Sequence, residues 1–281
     1  MATKKANATK KKAPAKKSVV KSVSVAETKT TVKTVPATAK KHTLGQHLET
    51  SMVSRSLWRA LAAEFIGTFL LAAVVIAGQG QPIFVLFGLV GIVLLFGSVS
   101  GSHVNPAITV AAWATRRIGW LRALGYVFAQ FLGAAAAFFV LSAFIGGAVS
   151  PTAEQQAYGQ TAASLFHAVD VSTLSGKEWY VFFAELLGTT ILGFGIAAAT
   201  RTRETLKAGF TAGLALFIAL MIGVTVSGYV SASSILNPAV ALSLQAFTAN
   251  AWPYIVYALA PVIGAVVGFL LHDLIRGKNV A

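Results

Sequence analysis

Six long apolar blocks, at about 58–78, 83–100, 120–146, 179–199, 209–229 and 252–273, limit what this chain can become. Each approaches the roughly 20 residues that carry a helix across the hydrocarbon core of a bilayer. No water is available there to bond an open N–H or C=O. A spanning segment must satisfy its own backbone, so these blocks are expected to be helices. A closed β-barrel would need alternating segments of about ten residues, and the sequence has none. Composition agrees: 11% of residues are charged and 56% are hydrophobic, against about 25% charge in an average soluble domain.

The charges that remain set an orientation. The chain of 281 residues has 23 Lys and Arg against 9 Asp and Glu, a net charge of +14. Residues 1–50 hold twelve of the Lys and two of the Glu, so +10 of the excess precedes the first block. This segment has no aromatic residue and buries too little apolar surface to offset the entropy of ordering. It is expected to be a disordered, Lys-rich tail, with 51–281 as one membrane domain. It has no apolar run leading to a small-residue cleavage site and does not read as a signal peptide. Basic residues of short loops stay in the cytoplasm. With six spans, the tail, Arg116–Arg117–Arg122, Arg201–Arg203–Lys207 and Arg276–Lys278 fall on one side. The opposite side carries Lys177 against Glu154, Asp170 and Glu178. Both termini are therefore expected in the cytoplasm, in a multi-pass protein of the cell membrane.

The two halves repeat. Ala63-Glu64-Phe65-Ile66-Gly67-Thr68 matches Ala184-Glu185-Leu186-Leu187-Gly188-Thr189, and Asn105-Pro106-Ala107 matches Asn237-Pro238-Ala239. Gly125-Tyr126…Gly133 parallels Tyr254…Gly264. The copies run about 57–146 and 179–273. Each holds three spans, an odd number, so the second enters the membrane from the opposite side, and the functional site is expected where the copies meet near the midplane.

Asn is a favoured N-cap and Pro a favoured first residue of a helix. Each Asn-Pro-Ala therefore predicts the start of a short helix, preceded by non-helical backbone at 101–104 and 231–236. Non-helical backbone at membrane depth is tolerated where it lines a cavity or is buried in protein. Inversion brings both helix N-termini to the centre, each with about half a positive charge from its macrodipole. The fold expected is an all-α membrane protein of six transmembrane helices plus two half-helices in an inverted repeat. Glu64 and Glu185, carboxylates inside spans, read either as a proton relay or as acceptors of hydrogen bonds from these loops. Gln130 and His103 are expected to support the first loop, and His167 to be exposed.

The string Ser100-Gly101-Ser102-His103-Val104-Asn105-Pro106-Ala107 resembles the first signature loop of the aquaporin (major intrinsic protein) family. AEFIGT and AELLGT resemble its first and fourth helices. The similarity covers about 57–275. It implies a homotetramer with one pore per subunit, passing water or small uncharged, glycerol-like solutes, and it favours the acceptor role for Glu64 and Glu185. It also implies an outer filter of four side chains, and here the sequence departs from the family. The residue after the second motif, usually Arg, is Val240. Losing a guanidinium removes five donors and a fixed charge. By position Ser234 belongs to the filter, and Leu220 is the fifth-helix candidate. Phe87 is the second-helix candidate from the match of Phe87-Gly88-Leu89, although an ungapped count gives Val85.

Other functions fit less well. With no Cys, disulfides and thiolate chemistry are excluded. Five scattered His show no metal-ligand spacing. No catalytic residue, cofactor or metal is expected, and no enzyme. An ion-coupled transporter would want charged residues along its path, and the spans offer little besides Glu64 and Glu185. The remaining alternative is a membrane-anchored protein whose Lys tail binds nucleic acid or an anionic surface. That tail lacks Arg and aromatic residues to read or stack on bases. Attraction to anionic lipid, about 1 kcal/mol per Lys near the surface, suffices to explain it.

Overall fold

A computed structural model describes residues 54–277, which lie within one unit spanning Leu44–Ala281. The expected tail at 1–50 lies outside the described residues. Six helices are long and apolar enough to cross a membrane: α1 (Arg55–Ala77), α2 (Pro82–Ser100), α4 (Trp120–Gly146), α6 (Glu178–Ala199), α7 (Thr205–Gly228) and α9 (Trp252–Arg276). Two short helices interrupt them, α3 (Pro106–Ala114) and α8 (Pro238–Ser243). A single turn, α5 (Ala153–Ala157), stands in the long loop between α4 and α6. No strand occurs among the described residues.

Local chemistry sets the ends. Ser54 caps α1 by accepting from the Leu57 N–H at 3.3 Å. Pro82 opens α2, and Gly101, in the left-handed region at φ 90°, closes it. Within α9 a π-turn occupies Ile255–Leu259, just before Pro261. Proline has no N–H to give the carbonyl four residues back, so the regular ladder cannot run through it.

The main helix contacts are α6 with α9, α1 with α4, α6 with α7, and α2 with α7. Small residues permit the closest approaches. A Cβ on Gly133 of α4 would lie 2.2 Å from the Phe65 carbonyl, and one on Gly264 of α9 would lie 2.3 Å from the Leu186 carbonyl. Phe65 and Leu186 hold the same place in AEFIGT and AELLGT, so the repeat seen in sequence is a repeat of packing. Such backbone-to-backbone contact is how helices associate in lipid, where apolar burial gives little preference for protein over acyl chains. Large apolar side chains such as Phe84, Leu95, Phe128, Phe139 and Phe183 remain exposed on the outer faces, as a lipid-facing surface requires.

Candidate functional site

Asn105 and Asn237 cap α3 and α8 in the way the Asn-Pro pairs predict. The Asn105 Oδ1 accepts from the Ala107 N–H at 2.9 Å. The Asn237 Oδ1 accepts from Ala239 at 3.0 Å and Val240 at 3.3 Å. Each amide then reaches the other half. Asn105 Nδ2 donates to the Leu236 carbonyl at 2.8 Å, and Asn237 Nδ2 donates to the Val104 carbonyl at 2.9 Å. These crossed bonds hold the two helix N-termini together. An amide nitrogen has two hydrogens, so one remains on each Asn. Val104 and Leu236, the residues before the two motifs, both adopt positive φ, 42° and 61°. That conformation is uncommon outside glycine and costly for a β-branched residue. It persists because the surrounding bonds fix both loops.

Buried carboxylates supply those bonds. Glu64 accepts from the His103 N–H at 3.0 Å, the Val104 N–H at 2.8 Å and the Gln130 amide at 2.7 Å. Glu185 accepts from the Ile235 and Leu236 N–H groups and, at 3.0 Å, from the Ser234 hydroxyl. Both are fully buried. Gln130 also donates to Thr109 at 2.9 Å, and Thr109 is within 3.2 Å of His103 Nδ1. The His103 ring meets Tyr126 edge-on, and the Tyr126 hydroxyl donates to the Ser100 carbonyl at 2.7 Å. Among the described residues, every donor to the two carboxylates comes from a loop before a short helix or from Gln130.

Two cavities lie along the loops that precede the short helices, and the crossed asparagines line the first of them. The first, about 310 Å³, is lined by His103, Asn105, Ile108, Asn237 and Val240 and extends to the α1–α2 turn. The second, about 340 Å³, reaches Gly101, Ser102 and the basic α6–α7 loop at Arg203. Ile196 lines both. Among the described residues lining the first cavity none is Asp, Glu, Lys or Arg. The carbonyls of Gly101, Ser102 and His103, and of Ala232, Ser234 and Ile235, accept no hydrogen bond from the described residues.

Of the four filter candidates, Leu220, Ser234 and Val240 line the first cavity. Phe87 does not. It is 59% exposed on the outer face of α2, while Val85, 3% exposed, lines the cavity with Leu89. Positions 85 and 89 share a helix face, and 87 sits about 200° around from 85. The tripeptide match at Phe87 is therefore corrected in favour of the ungapped count. Val224 and Phe166 also line the cavity and were not singled out in the sequence. Val224 continues the α7 stripe Leu216–Leu220 at helical spacing, which could have found it. Phe166 lies in the long outer loop, where no periodicity points to it.

Residues 51–272 match the major intrinsic protein family, and the chain belongs to it. Among curated relatives, the chain is 31% identical over 242 residues to aquaporin NIP3-1 of Oryza sativa subsp. japonica, covering 80% of this chain and 70% of that protein. It is 29% identical over 265 residues to aquaporin AqpM of Methanothermobacter thermautotrophicus, covering 79% of this chain and 99% of the relative. Among solved structures, the aquaglyceroporin from Plasmodium falciparum aligns with a TM-score of 0.59 at 22% identity. It covers 78% of this chain and 97% of its own. At that identity the likeness speaks to the fold. The protein is a transmembrane channel of the water and small-solute class, and not an enzyme.

Proposed function

We propose that the permeation path runs through the first cavity, between Asn105 and Asn237, and out through the second, and that it carries water and small uncharged solutes of glycerol size. The crossed asparagine bonds carry this reading. They put two helix N-termini and two amide donors at one point in the wall of the first cavity. The positive dipole ends disfavour cations and protons there, and the remaining amide hydrogens can donate to a passing oxygen. Unpaired carbonyls of the two loops supply acceptors on either side. A first cavity with no Asp, Glu, Lys or Arg among the described residues lining it speaks against an ion path. With Val240 in place of Arg, proton exclusion rests on the centre. The channel works as a homotetramer in the cell membrane with both termini cytoplasmic. The asymmetry of basic loops supports that orientation, and the family resemblance supports the tetramer.

Stopped-flow light scattering on proteoliposomes tests the path, comparing water, glycerol and urea with a parallel proton-leak assay. Val240→Arg is expected to cut glycerol and urea flux more than water flux. Asn105→Asp puts a negative charge at the centre and is expected to raise cation leak. An unchanged solute ratio in assembled Val240→Arg, or free proton leak in the wild type, would place filter and barrier elsewhere.

A further inference from the structure

We propose that Phe166, on the long outer loop, sets the size limit of the path. The inference rests on the reading of the two cavities as that path. The side chains of Val85, Leu220, Ser234 and Val240, all lining the first cavity, offer a solute no free hydrogen-bond donor. Three are aliphatic, and the Ser234 hydroxyl donates to Glu185. Such a set can neither align a solute by donation nor refuse one that lacks an acceptor. Discrimination at these four positions is therefore steric, and a bulky neighbour has to supply it.

Phe166 is the one Phe, Tyr or Trp among the described residues lining that cavity. Its ring rests on the α1–α2 turn. A Cβ on Gly80 would lie 2.8 Å from the ring's Cε1 and Cζ, and Gly80 has φ +68°. Both the space and the backbone conformation at position 80 thus call for glycine. The loop is pinned on each side of the ring. Gln79 Nε2 donates to the Ser164 carbonyl at 3.4 Å. The Ala168 N–H donates to the Leu244 carbonyl at 2.9 Å, just after α8, and the Val169 N–H donates to the Ser233 hydroxyl at 3.3 Å, just before the second motif. The ring therefore stands between the α1–α2 turn and the second Asn-Pro-Ala loop, two walls of the same cavity. Its face is apolar, so it excludes by cross-section rather than by charge.

The chain contains no Cys, which allows a direct test in full-length protein in proteoliposomes. Phe166→Cys and, as neighbour control, His167→Cys each introduce the only thiol. A small membrane-permeant methanethiosulfonate should lower water flux in Phe166→Cys and leave His167→Cys and the wild type unchanged. Separately, Phe166→Ala should raise the glycerol-to-water permeability ratio roughly fivefold, equivalent to about 1 kcal/mol of barrier, and Phe166→Trp should lower it. Leu165 and Phe166 also pack on the core, so the Cys pair decides if the Ala variant does not assemble. Equal block in both Cys variants would overturn the proposal. So would full labelling of Phe166→Cys without change in flux, resistance of Phe166→Cys to a reagent that modifies His167→Cys, or an unchanged ratio in assembled Phe166→Ala. Failure of the path itself shows differently, as wild-type vesicles no more permeable than empty ones.

Discussion

In the first half, Glu64 divides its carboxylate between two loop N–H groups and the amide of Gln130, which stands on a separate transmembrane helix and also holds Thr109. In the second, Glu185 binds two equivalent N–H groups, and its third partner, Ser234, belongs to the loop itself. The first half-helix has nine residues and the second six. The first loop is thus braced from outside by α4. The second braces itself and takes its outer support from Tyr257, whose hydroxyl donates to the Ser233 carbonyl at 3.2 Å, and from the 164–169 segment. One side of the path is fixed scaffold. The other is held partly by the membrane helix α9, through Tyr257, and partly by the outer loop, and that side carries the departure at Val240.

Breaking both loops at their common element gives the largest expected effect. Glu64→Ala and Glu185→Ala each strand two buried backbone donors, at about 1–3 kcal/mol apiece. Neither variant should accumulate as an assembled channel, as judged by the monodisperse fraction and thermal stability in detergent. A variant that assembled normally would show that the plan is not shared. Next come the paired close approaches. Gly133→Ala and Gly264→Ala each push a methyl into a carbonyl on the neighbouring helix, an overpacking cost of about 1–3 kcal/mol. The melting temperature should fall by similar amounts in the two, and a large inequality would break the equivalence of α1–α4 with α6–α9.

The smallest effect sharpens the difference between the loops. Gln130→Leu removes the brace from both Glu64 and Thr109, while Ser234→Ala removes one donor. A typical hydrogen bond contributes about 0.5–1.5 kcal/mol, so Gln130→Leu should lower the melting temperature more. Ser234→Ala should act mainly on permeation, read as the urea-to-water ratio.

Much of this was legible because the governing constraints are local or repeated. The six spans follow from hydrocarbon thickness. The start of α7 lies earlier than hydropathy suggests, at Thr205 rather than about 209, because the charge of Lys207 in its first turn lowers the local hydropathy. The two short helices follow from Asn-Pro chemistry. That Glu64 and Glu185 accept from the loops is what the family resemblance of AEFIGT and AELLGT favours. Position 87 went astray because α2 is apolar around almost its whole circumference from Pro82 to Phe96. With no polar face, periodicity cannot tell the lumen from the lipid. Phe166 is not legible in the sequence because its loop is held by contacts spanning 85 and 64 positions, which no local pattern encodes.

The crossed asparagine bonds also bear on how the channel is made. The partners of Asn105 and of the Val104 carbonyl are Leu236 and Asn237, 131 and 133 residues further along. While the chain emerges from the ribosome, the first loop can dock on Glu64 and Gln130, but its tip has no partner until the second copy has inserted with opposite polarity. A polar tip without partners is costly in hydrocarbon. Membrane biogenesis therefore has a natural checkpoint: three spans can enter the bilayer early, yet the centre closes only in the last stage of synthesis. A nascent chain arrested after α6 should remain open to quality-control proteases that the finished channel resists.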